Sequence, residues 1–287
     1  MRYPDLPALI ADAKSTLARG PIALILIEDT SDIAGTIDHH VGLGFGQILL
    51  FCPTEISLTS ALPANVHRVD FDVTADGALA SITNAVIKAA PGQWIFYCYN
   101  AEYLMFPFCE TRSIDELVTF MAEERRDSVM SYTIDLYARD LTEMPDAVDP
   151  VSPYFDRSGY FALARHDAQG QPLDRQMNIY GGMRWRFEEH IAKSRQRLDR
   201  VALFRAVPGL HMADDGAFSL PEYNTVSCPW HNNVTVATAS FRTAKALRRN
   251  PGSRYAIETF YWANAETFTW SSQQLLDLGL IETGQWF

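Results

Sequence analysis

The sequence predicts an α/β chain built round a central, mostly parallel sheet flanked by helices. Residues 22–27 form a continuous aliphatic run, the mark of a strand buried on both faces. Short apolar runs then alternate with amphipathic segments through the first half, as strand–helix–strand crossovers require. The length of 287 residues, with 47% hydrophobic and 21% charged, supplies ample material for a buried core.

Each element has its own signal. Residues 8–19 have helical spacing and stop at Gly20-Pro21. After the first strand, residues 32–43 form a helix closed by Gly44, with His39 and His40 in its last turn and His40 facing the strands. Residues 47–51 and 66–71 are the next strands, and 77–90 a helix ending at Pro91-Gly92. Residues 94–99 are the fourth strand. Ser113 opens a helix with Glu116 three residues on, the pattern of a capping box, and this helix runs to about Arg126. A strand returns over 129–137. Beyond it, residues 142–153 are a loop with three prolines, 161–164 a strand, and Gly170 and Pro172 mark a turn. Residues 200–205 are a further strand. Residues 235–249 have helical spacing up to Asn250-Pro251-Gly252, and Ser271 to Gln274 start a last helix. No internal repeat or low-complexity linker interrupts the chain, so one domain over 1–287 is expected, with halves at 20–140 and 141–287.

Composition excludes several classes. A formal charge of −11 argues against a nucleic-acid partner. No apolar run reaches membrane-spanning length. The first twelve residues carry two acids and two prolines, unlike a secretory signal. Cys52, Cys98, Cys109 and Cys228 lack metal-type spacing and suit buried, reduced thiols in a cytoplasmic protein. Dinucleotide fingerprint, Walker loop, nucleophile elbow and zinc-protease motif are all missing. Gly42-Leu43-Gly44-Phe45-Gly46 precedes a strand instead of opening a helix, which is the wrong geometry for a phosphate cradle.

Positive charge is unevenly placed. Arg184, Arg186, Lys193, Arg195, Arg197, Arg200 and Arg205 crowd one stretch, and Arg242, Lys245, Arg248, Arg249 and Arg254 another. Such groups suit either an anion site or solvated helix faces, since guanidinium matches phosphate oxygens and cations also favour helix C-termini. Tyr180-Gly181-Gly182-Met183-Arg184-Trp185-Arg186 fits a ligand loop or a tight turn around a packed Trp185. His231, in Cys228-Pro229-Trp230-His231-Asn232-Asn233, suits a phosphate contact or a local hydrogen bond. Asp214, Asp215 and Glu222 are candidate general bases and equally ordinary acidic turn residues, and Asp135 and Asp140 stand similarly.

Three segments, in matching order and spacing, resemble family 2-like glycosyltransferases of the GT-A type. The first is the strand ending in Glu28-Asp29, whose following helix ends in His40-Val41-Gly42-Leu43-Gly44. The second is Trp94-Ile95-Phe96-Tyr97-Cys98-Tyr99-Asn100-Ala101-Glu102-Tyr103-Leu104, followed by Pro107 and the Ser113 helix. In that family this strand end reads Asp-x-Asp-Glu-Phe-Leu, with the aspartates holding a divalent cation against a sugar nucleotide. Here Tyr99 and Ala101 take their places. The third is Pro229-Trp230-His231. The resemblance spans roughly residues 20–250 and implies a GT-A-like fold. It implies sugar transfer from a nucleotide-sugar donor to a glycan or glycoconjugate acceptor, as in surface-polysaccharide synthesis.

The implied donor contacts are Glu28, Asp29, Tyr99, Glu102, Arg184, Arg186 and His231, with Asp214, Asp215 or Glu222 as base. The second strand ends in Cys52-Pro53 where the family often has an acid, so Mn or Mg is poorly matched by Glu102 alone. Cationic side chains would then stabilise the departing diphosphate. The alternative is a non-catalytic relative, a binding or scaffold protein that kept the fold and lost the site.

Overall fold

The computed structural model describes residues 1–58, 61–225 and 233–286. The fold is α/β, with a large mixed, mostly parallel sheet flanked by helices. In chain order the first elements are β1 (Arg2–Tyr3), α1 (Leu6–Ala11), α2 (Ala13–Thr16), β2 (Ile22–Leu26), α3 (Ile33–Gly42), β3 (Gln47–Cys52) and β4 (Val66–Asp70). Next come α4 (Ala78–Ala89), β5 (Trp94–Tyr99), β6 (Glu102–Met105), α5 (Ile114–Glu123) and β7 (Ser128–Tyr137). Then follow β8 (Tyr154–Asp156), β9 (Tyr160–His166), β10 (Pro172–Gly181), α6 (Gly182–Arg186) and β11 (Asp199–Arg205). Last are β12 (Val236–Ser240), α7 (Arg242–Arg249), β13 (Ala265–Thr267) and α8 (Ser272–Asp277).

The chain folds as two compact units. The first comprises Met1–Asn100, Arg112–Val129 and Val201–Asn224. Its strands run β1-β4-β3-β2-β5, all parallel, with β11 antiparallel against β5. Every residue of β2 is buried, which accounts for its unbroken aliphatic sequence. His40 is fully buried under the sheet, bonded through Nδ1 to the Thr36 carbonyl and stacked on Phe96. The Ser113–Glu116 capping box is present in both directions at α5. Gly46 is held to glycine by space, since a Cβ there would lie 2.7 Å from the Gly20 carbonyl oxygen.

The second unit comprises Ala101–Thr111, Met130–Arg200 and Thr225–Phe287. In it β12 lies between β7, to which it is parallel, and β6, to which it is antiparallel. β8 joins β7 and β13 joins β8, both antiparallel, while β9 and β10 form a separate hairpin. One face of the sheet buries Tyr103, Ile134, Leu136, Ala237, Ala239 and Phe241 in an apolar core.

Two expectations need correcting. The helix expected over 235–249 starts only at Arg242, because Val236–Ser240 is a strand buried along its length. The single helix expected over 8–19 is two short pieces, with Asp12 breaking between them.

Candidate functional site

Strand order places the candidate site. From β2 the chain crosses through α3 to β3 and β4 on one side, then returns through α4 to β5 on the other. The carboxyl ends of β2 and β5 are therefore a topological switch point, where open α/β sheets leave a crevice for ligands.

The loop leaving β2 carries Glu28 and Asp29, and Tyr99 ends β5, in register with Leu26. All three predicted residues are half-buried. Asn100, 0% exposed, braces the loops. Its Oδ1 accepts the Glu28 N–H at 2.9 Å, and its Nδ2 donates to Asp29 Oδ1 and to the Ser31 carbonyl, each at 2.8 Å. The Asp29 carboxylate also accepts the Ser31 N–H at 2.8 Å. Next to this bracket, Asp32 takes a left-handed conformation (φ 40°) at the start of α3, and a Cβ on Gly35 would collide with its carboxylate. Three carboxylates thus stand along one short loop. Such a loop accepts hydrogen bonds from hydroxyl and N–H groups and disfavours a bare phosphate.

The candidate bases lie in the same unit and are exposed. Asp214 sits against Gly77 at the start of α4, 3.2 Å from where a Cβ would stand. Asp215 accepts the Ala217 N–H at 3.0 Å as part of a turn, and Glu222 lies in a one-turn 3-10 helix. Asp140, in the second unit, also closes a turn on Thr142.

Glu102, Arg184 and Arg186 belong to the second unit, where each is committed to an internal pair. Glu102 is buried, accepting from Arg200 Nη2 at 2.7 Å and from Ser240 Oγ at 2.9 Å. Arg184 grips Asp135 with two nitrogens at 2.9 and 3.2 Å, and gives Nη1 to the Arg195 and Arg197 carbonyls. Arg186 grips Asp156 at 2.7 and 2.9 Å and donates to the Phe260 carbonyl. Its guanidinium also lies over Tyr137, Phe187 and Trp262. The diphosphate clamp expected of Arg184 and Arg186 is therefore not the arrangement found. Their forks are taken by carboxylates.

The register explains the pairing. Glu102 on β6, Ser240 on β12 and Asp135 on β7 form one cross-strand row. Asp156 on β8 flanks the pair Leu136 and Phe155 next to it. Acids that would otherwise be buried alone each meet an arginine, as burial of charge demands. Asp156 further accepts from Tyr137 at 2.6 Å and Trp262 at 2.8 Å. Burial, then the negative Asp156, pushes the Tyr137 phenol well above its ordinary value, so it remains a donor.

The donors present decide whether a metal fits. No group of three or more His, Cys, Asp or Glu side chains among the described residues could hold a metal ion, and Glu102 is already engaged. These residues do not fit a divalent cation. Ala101 is buried with φ 57°, a left-handed conformation that Asp and Asn adopt more readily than Ala.

His231 lies outside the described residues. In the second basic group, Arg248 has a structural role, donating to the carbonyls of Pro145, Arg254 and Ile257. Trp185 is exposed, not packed. Asn100 and Asp156 carry no sequence signal of their roles. The partners of Asn100 lie 69 to 72 residues back along the chain, and Trp262 lies 106 residues beyond Asp156. No helix among the described residues is long and apolar enough to cross a membrane. No family model and no curated protein matches the chain.

Proposed function

We propose that this chain is a glycosyltransferase-like protein whose first unit binds the nucleoside end of a sugar nucleotide at the carboxyl ends of β2 and β5. In this reading it serves transfer of the sugar to a glycan or glycoconjugate acceptor. The observation that carries the reading is the Asn100 bracket at the switch point, which presents Glu28 and Asp29 beside Tyr99. Carboxylates suit ribose hydroxyls and base N–H groups, and a tyrosine ring suits the face of a base. The left-handed backbone at Ala101 adds support, being a conformation that an aspartate would fill more easily.

A second reading is a non-catalytic relative that retains binding alone. It is favoured by the engagement of Glu102, Arg184 and Arg186 in buried pairs, which leaves those groups no part in diphosphate departure. Titration calorimetry with nucleosides, nucleoside diphosphates and sugar nucleotides tests binding. Release of nucleoside diphosphate from a bound sugar nucleotide in the presence of glycan acceptors separates the two readings. Binding with turnover supports transfer, and binding without turnover supports the non-catalytic relative.

A further inference from the structure

A cavity of about 510 Å³ lies against the β1 edge of the first unit and shares no residue with the bracket around Asn100. Two opposed arginines form one side of it. Arg2 on β1 stands in register with Arg68 on β4. Like charges directly opposite on neighbouring strands repel, and Asp70 offsets part of that repulsion. Its Oδ2 accepts from Arg2 Nε and Nη2 at 3.0 and 2.6 Å, and its Oδ1 from Arg68 Nε at 2.7 Å. Two guanidinium groups against one carboxylate leave one positive charge in excess.

The other side is the segment after β3, which Arg68 fixes in place. Its Nη1 donates to the Ile56 carbonyl at 2.6 Å and its Nη2 to the Pro53 carbonyl at 2.9 Å. The Ile56 N–H closes a turn on the same Pro53 carbonyl at 3.2 Å. This segment lines the cavity with the apolar Ile56, Leu58 and Leu62 and with the hydroxyl residues Thr54 and Ser57. Arg68 is buried and spent on these bonds. The Arg2 side chain is 61% exposed, and its Nη1 has no partner among the described residues. No carboxylate lines the cavity among the described residues.

The geometry points to a binding site for a small organic monoanion, a carboxylate carried on a short aliphatic chain. The single excess charge matches one carboxylate, and Arg2 Nη1 with the two hydroxyl groups supplies donors for its oxygens. Ile56, Leu58 and Leu62 supply apolar surface for the chain. The volume falls within the range of about 300–1,000 Å³ usual for small-molecule sites. Charge gives the selectivity. A molecule of net charge −11 repels anions over most of its surface, so a local positive excess beside an apolar wall stands out. A dianionic phosphate exceeds that single charge, and an amine meets Arg2.

Ligand-observed NMR titration with hexanoate, hexanol and hexylammonium tests the site, because the three share one chain and differ in charge. Wild type is expected to bind hexanoate saturably, about tenfold or more tighter than the other two. Arg2→Gln should weaken hexanoate binding about tenfold, the size of one charge-assisted hydrogen bond. Ser57→Trp, at an exposed position, should abolish binding by filling the cavity, with circular dichroism unchanged in both variants. Absence of saturable hexanoate binding would overturn the inference, and so would equal affinity for hexanol or hexylammonium. Hexanoate affinity unchanged in either variant would overturn it too, because the ligand would then lie elsewhere.

Discussion

The Asn100 side-chain amide donates to the Asp29 carboxylate at 2.8 Å, joining the loop after β5 to the loop after β2. The same side chain accepts the Glu28 N–H, so its loss both orphans a backbone donor and removes one of the donors to the Asp29 carboxylate. Asn100→Ala is expected to cost about 2–4 kcal/mol, from the orphaned groups and the lost bonds. Urea unfolding measures it, and a loss below about 0.5 kcal/mol would mean the bracket is dispensable.

The arginine pairs of the second unit make an opposite prediction from a ligand clamp. Arg186→Ala leaves Asp156 buried without its cation and should destabilise the protein by about 3–5 kcal/mol. Replacing both partners, Arg186→Met with Asp156→Leu, should recover part of that loss. If Arg186→Ala unfolds at the wild-type midpoint but loses affinity for nucleoside diphosphates, the guanidinium belongs to a ligand and not to the fold.

Acid should weaken the first unit through Asp70. Burial alone would raise its carboxyl, but bonds from Arg2 and Arg68 outweigh burial and hold it below the ordinary aspartate value. A carboxyl lowered in the folded state contributes stability that is complete above its unfolded value of about 3.9. That contribution fades as the pH falls through the folded-state value. The stability advantage of wild type over Asp70→Asn should therefore be constant near neutrality and shrink below about pH 4. Thermal unfolding across pH checks this, and an advantage unchanged at low pH would contradict it.

The parts of the fold legible in the sequence are those whose burial is local. β2 is buried on both faces and reads as an aliphatic run, and the Ser113–Glu116 box lies within one helical turn. β12 is less legible. Its small residues, Val236, Ala237, Thr238, Ala239 and Ser240, run into the α7 pattern, and only burial between β6 and β7 makes them a strand. β6 is four residues long and follows a turn that needs left-handed backbone at an alanine, which no turn signal announces. At the site, Glu28 and Asp29 are legible because they end a recognisable strand. The fate of Arg184 and Arg186 is not, since their carboxylates lie 49 and 30 residues away along the chain. A cation is visible in a sequence, but its partner is not.

A nucleoside site at the ends of β2 and β5 stands or falls on titration calorimetry of the wild-type chain and Glu28→Gln against a panel of nucleoside diphosphates and their sugar conjugates. Wild type is expected to bind saturably. Affinity should fall about tenfold in Glu28→Gln, the size of one lost charge-assisted hydrogen bond, with the fold unchanged by circular dichroism. No heat from wild type across the panel, or equal affinity in the variant, would contradict the site.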